Sequence, residues 1–213
     1  MKTQRLSNEK GITLIELLIV LVMSSVLIGG IYRLFVAQSK AYAIQEQVVE
    51  VQQGIRAAME IVLRDLQTAG FDDDRTPGVM VTHPVVPEDH AITVRYEYEG
   101  AINEVHYWVD ETARLLRQET RSGVSHTESL LENTEAFDLS YGVDQNEDGA
   151  MDDRKGNGLA DDWVSSASVG SSKVVSVRVS LRAMPVQVNP DLQNTSPRTL
   201  TSAVSFRNLS QVR

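Results

Sequence analysis

The chain has 213 residues, no cysteine and a formal charge of −9. Lys2, Arg5 and Lys10 against Glu9 make the first eleven residues basic, so the remainder carries −11. Disulfides, thiolate metal sites and thiol catalysis are excluded. An acidic body lacks the Lys and Arg that phosphate contacts need, so nucleic acid is not an expected partner.

The first predicted element is apolar. In KGITLIELLIVLVMSSVLIGG (10–30) the only charge after Lys10 is Glu16. From Ile12 the run is about 20 residues, enough for a helix to cross the hydrocarbon core. The basic residues before it place that end in the cytoplasm and the C-terminal body outside. A single-pass anchor is one reading. A secretory signal peptide cut near Ser24–Gly30 is another, but such peptides keep their apolar core uncharged, and Glu16 breaks that rule. An ionised carboxylate within a bilayer costs several kcal/mol by insertion scales, so its presence demands a reason.

KGITLIELLIVL resembles the type IV prepilin cleavage and methylation signal. The resemblance implies cutting after Gly11 by a membrane-embedded prepilin peptidase. It also implies N-methylation of Ile12, where the family most often has Phe, and a role in assembly for Glu16, the fifth mature residue. In such filaments the Glu is proposed to pair with the N-terminal amine of a neighbouring subunit. The physics supports this, since an opposite charge within ~4–6 Å favours the ionised carboxylate.

Past the apolar run, Ala37, Ala41, Ile44, Val48, Val51, Ile55, Ala58, Val62, Leu66 and Ala69 recur at helical spacing. Gly70 suits a helix C-cap. One helix is therefore expected from Ile12 to Ala69. Gly29–Gly30 is either a hinge or a site of close helix packing. The expected organisation is a leader (1–11), a transmembrane half (12–35), an amphipathic half (36–70) and a body (71–213). The ending LRDLQTAGF resembles that of the minor pilins called PilW and of the type II secretion pseudopilin called GspJ.

In the body, AITVRYEYEG and AINEVHYWVD alternate and suggest a hairpin around Gly100. Leu115–Leu116 suggests a short third strand. Phe137–Val143, Lys173–Met184 and Leu200–Leu209 read as further strands, and Pro185–Pro197 as a polar loop. The expected fold is α+β and pilin-like, a long helix packed on an antiparallel sheet.

The acidic loop 144–163 carries seven carboxylates against Arg154 and Lys155. Asp144, Asn146, Asp148, the Ala150 carbonyl and Asp152 match positions one, three, five, seven and nine of an EF-hand loop, with Gly149 at six. Position twelve is Lys155 rather than Glu, so Asp153, Asp161 or Asp162 would close the shell. Calcium is the expected ion; a solvated acidic loop is the alternative. Asp72–Asp74 reads as a helix-ending loop. His83, His90, His106 and His126 have no zinc spacing. Ser125 beside His126 does not make a nucleophile–base pair, and no GxSxG is present. An enzyme is not expected.

The expected function is that of a minor pilin or pseudopilin in a type IV pilus-like filament, aiding assembly or initiation near the tip. Its expected partners are the prepilin peptidase, the inner membrane and other pilins through their N-terminal helices. The expected location is the inner membrane with a periplasmic body, then an extracellular or periplasmic filament. A type II secretion pseudopilus subunit, a tip adhesin and a membrane-anchored calcium-binding periplasmic protein are the alternatives.

Overall fold

The computed structural model describes residues 11–73, 79–154, 156, 162–185 and 196–210. The chain divides into two units, Met1–Glu46 and Gln47–Arg213. The helix α1 (Leu14–Gln67) runs through the division.

α1 is two residues shorter at each end than expected, and both ends have local causes. Thr13 lies before it in non-helical backbone; its Oγ1 accepts the Glu16 N–H at 3.3 Å and its carbonyl accepts the Leu17 N–H at 3.2 Å. A threonine there satisfies a donor the first turn cannot pair internally. At the other end the bonding tightens to i+3, from Thr68 N–H to the Asp65 carbonyl at 3.0 Å and from Ala69 N–H to the Leu66 carbonyl at 3.1 Å. Gly70 then turns the chain at φ +69°, a conformation a Cβ disfavours. Asn208 Nδ2 donates to the Ala69 carbonyl at 3.3 Å, covering an acceptor of the helix end. Gly29 and Gly30 do not interrupt the helix.

Within the first unit the helix residues Leu14–Phe35 are exposed almost throughout; Leu17, Leu18 and Leu21 stay in the open. Within the second unit Val51, Ile55, Ala58, Met59, Val62 and Leu66 are buried on one stripe. Each large side chain so buried contributes roughly 1.5–3 kcal/mol.

The body holds two antiparallel sheets rather than the single sheet expected. The first has the order β1 (Val85–Pro87), β2 (Ala91–Tyr98), β3 (Ala101–Val109), β4 (Leu115–Arg121), β5 (Val124–Leu131). The second has β6 (Thr134–Asp144), β7 (Lys173–Ala183) and β8 (Arg198–Ser205). The β2–β3 hairpin turns at Glu99–Gly100 and the β4–β5 hairpin at Ser122–Gly123, all four with positive φ. That is the twist-compatible two-residue turn. Ile92, Val94, Val105, Tyr107 and Leu115 of the first sheet share one core with Phe137, Tyr141, Val177, Val179 and Leu181 of the second.

Three strand expectations change. The short strand at Leu115–Leu116 extends to Arg121, and β1 and β5 were not expected. The last strand ends at Ser205 instead of Leu209, because residues Arg207–Ser210 wind into a helical turn, α2. Phe206 is fully buried just before it and draws the chain back onto the core. The Pro185–Pro197 loop falls mostly outside the described residues.

Candidate functional site

Gly11 and Ile12 lie exposed and outside α1, and Glu16 sits exposed in its first turn. α1 is long and apolar enough to cross a bilayer. The residues implicated in processing are thus at the head of an apolar helix with a cap that fixes where the helix starts.

The acidic segment is built from β6 outward. Asp144, its first residue, is buried, and its two carboxylate oxygens accept the amides of Asp148 at 3.2 Å and Gly149 at 2.8 Å. Asn146 Oδ1 accepts the Asp148 N–H at 3.1 Å, and Asn146 Nδ2 donates to Asp148 Oδ2 at 3.0 Å. Asp148 Oδ1 accepts the Ala150 N–H at 2.8 Å. Asp152 turns back: its carboxylate accepts the Gln145 N–H at 2.8 Å and its own N–H donates to the Val143 carbonyl at 2.9 Å. Gly149 has φ +83°, as the sharp turn at position six requires.

Met151 closes the loop over Gly142. A Cβ on Gly142 would come within 2.0 Å of Ser176 Oγ and 2.6 Å of Met151 Sδ, so only glycine fits there. The far end of the segment is pinned where Tyr141 and Val164 exchange two backbone bonds at 2.8 and 2.9 Å. Asp162 is buried next to that bridge, Trp163 carries the Arg178 guanidinium 4.3 Å from its ring centroid, and Asp153 is exposed. Asp161 and Lys155 lie outside the described residues. Asp144, Asn146, Asp148 and Asp152 therefore occupy one tight loop held by amide-to-carboxylate bonds.

A second acidic group was not found from sequence. Among the described residues, one set of three carboxylates comes within 4.8 Å of one another, and it is Asp72, Asp73 and Glu97 rather than the loop acids. Glu97 is buried, although its strand position gives no sign of that. Its Oε2 accepts the Asp73 N–H at 2.9 Å and its Oε1 the Gly100 N–H at 2.5 Å. Glu97 and Asp73 are 24 residues apart, so only the fold brings them together. Asp72 and Asp73 lie in the irregular chain that follows the helix end; Asp74 is not among the described residues. A cleft of about 950 Å³ is lined by Asp72 on one side and by Asp144 and Glu147 on the other.

The strongest electrostatic feature joins the end of α1 to the first sheet. Asp65 Oδ2 accepts the Tyr107 hydroxyl at 2.6 Å and Arg117 Nε at 2.7 Å. Arg117 also donates to Glu119 and to Glu128, each at 3.1 Å. Glu119 in turn is bonded to Arg121 and receives the Tyr96 hydroxyl at 3.1 Å. Burial and the Asp65 carboxylate push the Tyr107 hydroxyl far above its usual range, so it stays protonated. Burial alone would raise Glu119, but Arg121 and Arg117 outweigh it and hold the carboxyl below its usual range.

The family described as Prokaryotic N-terminal methylation motif matches residues 6–32. That span includes the capped start of α1 and Gly11, Ile12 and Glu16. The family described as Type IV Pilus-assembly protein W matches residues 104–209, from β3 to α2. A search of curated proteins finds no match. The fold and these two matches define a type IV prepilin-like, membrane-anchored protein. More narrowly, residues 104–209 of its body are similar to Type IV Pilus-assembly protein W.

Proposed function

We propose that the protein is a minor subunit of a type IV pilus filament, structural rather than enzymatic, that aids assembly near the tip. One observation carries this reading. A methylation motif heads a bilayer-length helix in the same chain as a PilW-like body. The chain inserts in the inner membrane with its body in the periplasm. Prepilin peptidase cuts after Gly11 and Ile12 is methylated. Glu16 pairs with the new amine of a neighbouring pilin, fixing register between N-terminal helices. Losing one member of a buried ion pair costs roughly 3–5 kcal/mol, which suffices to exclude a misregistered subunit.

The test is the intact mass and N-terminal peptide of the membrane-extracted protein. A chain beginning at methylated Ile12 supports the reading; one beginning at Met1 or near Ser24–Gly30 overturns it. Glu16→Ala is expected to be cut normally yet to be lost from sheared filaments. Normal incorporation would remove Glu16 from the mechanism. Deleting the protein should abolish surface pili while leaving export of folded enzymes intact, which separates the pilus from the secretion reading.

The loop at Asp144–Asp152 fits calcium in its donor chemistry, being all oxygen, and in its turn at Gly149. Asp144, Asn146, Asp148, the Ala150 carbonyl and Asp152 would hold the ion, with Asp153, Asp161 or Asp162 closing the shell. The ion would neutralise the loop and fix its path. Millimolar calcium is then expected to raise the melting temperature of the full chain in detergent, and Asp148→Ala to remove the rise. An unchanged melting temperature would leave the loop as a solvated turn.

A further inference from the structure

β5 is the outer strand of the first sheet. Residues 124–129 are all exposed, and they pair with β4 without a register shift. Natural edge strands are blunted by shortness, lysine, proline or bulges. The opposite edge follows that rule, since β1 has three residues and ends in Pro87. β5 has eight residues, and its segment 124–129 contains neither lysine nor proline. Among the described residues no strand pairs with the side of β5 that faces away from β4.

The sequence of that edge is matched to itself. Reading VSHTESL outward from Thr127, His126 on one side stands where Glu128 stands on the other. Ser125 corresponds to Ser129, and Val124 to Leu130. We propose that β5 pairs antiparallel with β5 of a second copy of this chain, about a two-fold axis at Thr127. In that register each His126 faces the other copy's Glu128, twice over, and each Ser125 faces a Ser129, all within the exposed, regularly paired stretch. A histidine ring N–H facing a carboxylate and hydroxyl facing hydroxyl are both cross-strand pairs that favour pairing. The Glu128 side chain is bonded to Arg117 yet stays 45% exposed, which leaves it open to a second cation. β8, one of the two outer strands of the second sheet, is not self-matched about its midpoint: Arg198 would face Ser205.

Five residues a side, Ser125–Ser129, bury far less than the ~1,200–2,000 Å² of a stable solution interface. The contact therefore belongs to chains already concentrated in one membrane, and in this it rests on the anchoring described above.

The absence of native cysteine makes the test clean. Directly opposed residues of antiparallel strands have Cα atoms about 4.5–5.5 Å apart, within disulfide range. Thr127→Cys in the full chain, oxidised in membranes, is expected to give a disulfide-linked homodimer. Ser125→Cys alone places its thiols about 13 Å apart along the strands and should stay monomeric. Differently tagged Ser125→Cys and Ser129→Cys chains, expressed together, should give the mixed dimer several-fold above either homodimer. A monomeric Thr127→Cys in the membrane fraction overturns the proposal. Equal cross-linking of Ser125→Cys alone also overturns it, because random collision would explain both. Absence from the membrane fraction overturns the anchoring instead, and fractionation before oxidation reads that separately.

Discussion

Two stretches of one helix meet different fates. Residues Leu14–Phe35 leave Leu17, Leu18 and Leu21 in the open, while in the stretch from Gln47 onward Val62 and Leu66 have no accessible surface. The first stretch is apolar nearly all round; the second is apolar on one side only. A helix apolar all round finds its partner in lipid or in other apolar helices, whereas a one-sided helix finds it in its own chain. The difference teaches that the backbone is continuous but its stabilisation is not. Body stability should depend on the second stretch and be blind to the first.

The largest expected effect comes from breaking the charged link of the docked stretch. Arg117→Ala removes the cation between Asp65, Glu119 and Glu128, and its side chain is only 12% exposed. Unfolding by denaturant should show a loss of about 3–5 kcal/mol, since the Asp65 carboxylate stays buried without its close counter-charge. An effect under about 1 kcal/mol would mean that water relaxes the site and that α1 is held by apolar packing alone.

Next comes a paired test of the comparison itself. Leu66→Ala should cost the body about 2–5 kcal/mol through lost burial and a residual cavity. Leu21→Ala, the same chemical change in the first stretch, should leave the body's unfolding midpoint unchanged. Equal losses from both would show that the two stretches are not energetically separate.

The smallest effect is on pH and belongs to the body alone. Partial burial raises Asp110, but hydrogen bonds from the Arg114 amide, Thr112 and the Arg114 guanidinium win and hold it at about 2, against 3.8 in an open chain. Glu119 is lowered likewise. A depressed carboxyl stabilises the fold above its open-chain value and loses that contribution as pH falls through the folded one. Tyr107 is raised, so its contribution holds below pH 10 and fades above. Urea midpoints should be flat between pH 5 and 9, then drop from pH 4 towards 2 and again beyond 10. A midpoint that is flat through pH 3 would discount the Asp110 and Glu119 bonds.

How much of this was legible in the sequence follows from which interactions are local. The i, i+3, i+4 spacing from Val51 to Leu66 shows the docked face directly. The alternation of Ile92 and Val94, Val105 and Tyr107 shows the β2–β3 hairpin, and Gly100 its turn. β5 is invisible because VSHTES has no buried face to print an alternation. Glu97 looks like a solvent-facing strand residue until Asp73 and Gly100 close over it. The link from Asp65 to Arg117 spans 52 residues, and no spacing rule reaches that far. The N-terminal methylation motif was legible because it is a linear pattern, matched over residues 6–32 without any help from the fold.

The bond from Asn208 back to the carbonyl of Ala69 crosses 139 positions of chain. Ribosomes deliver proteins vectorially, so that helix end stays uncovered until nearly the whole body has been made. Before the strands that share its core are made, from Val85 onward, the apolar stripe from Val51 to Leu66 has nothing of this core to pack against. Slow, non-local closure of this kind exposes a nascent chain to aggregation. Cells making this protein should therefore need a holding chaperone at the membrane, and tags fused close behind α2 should lower its yield.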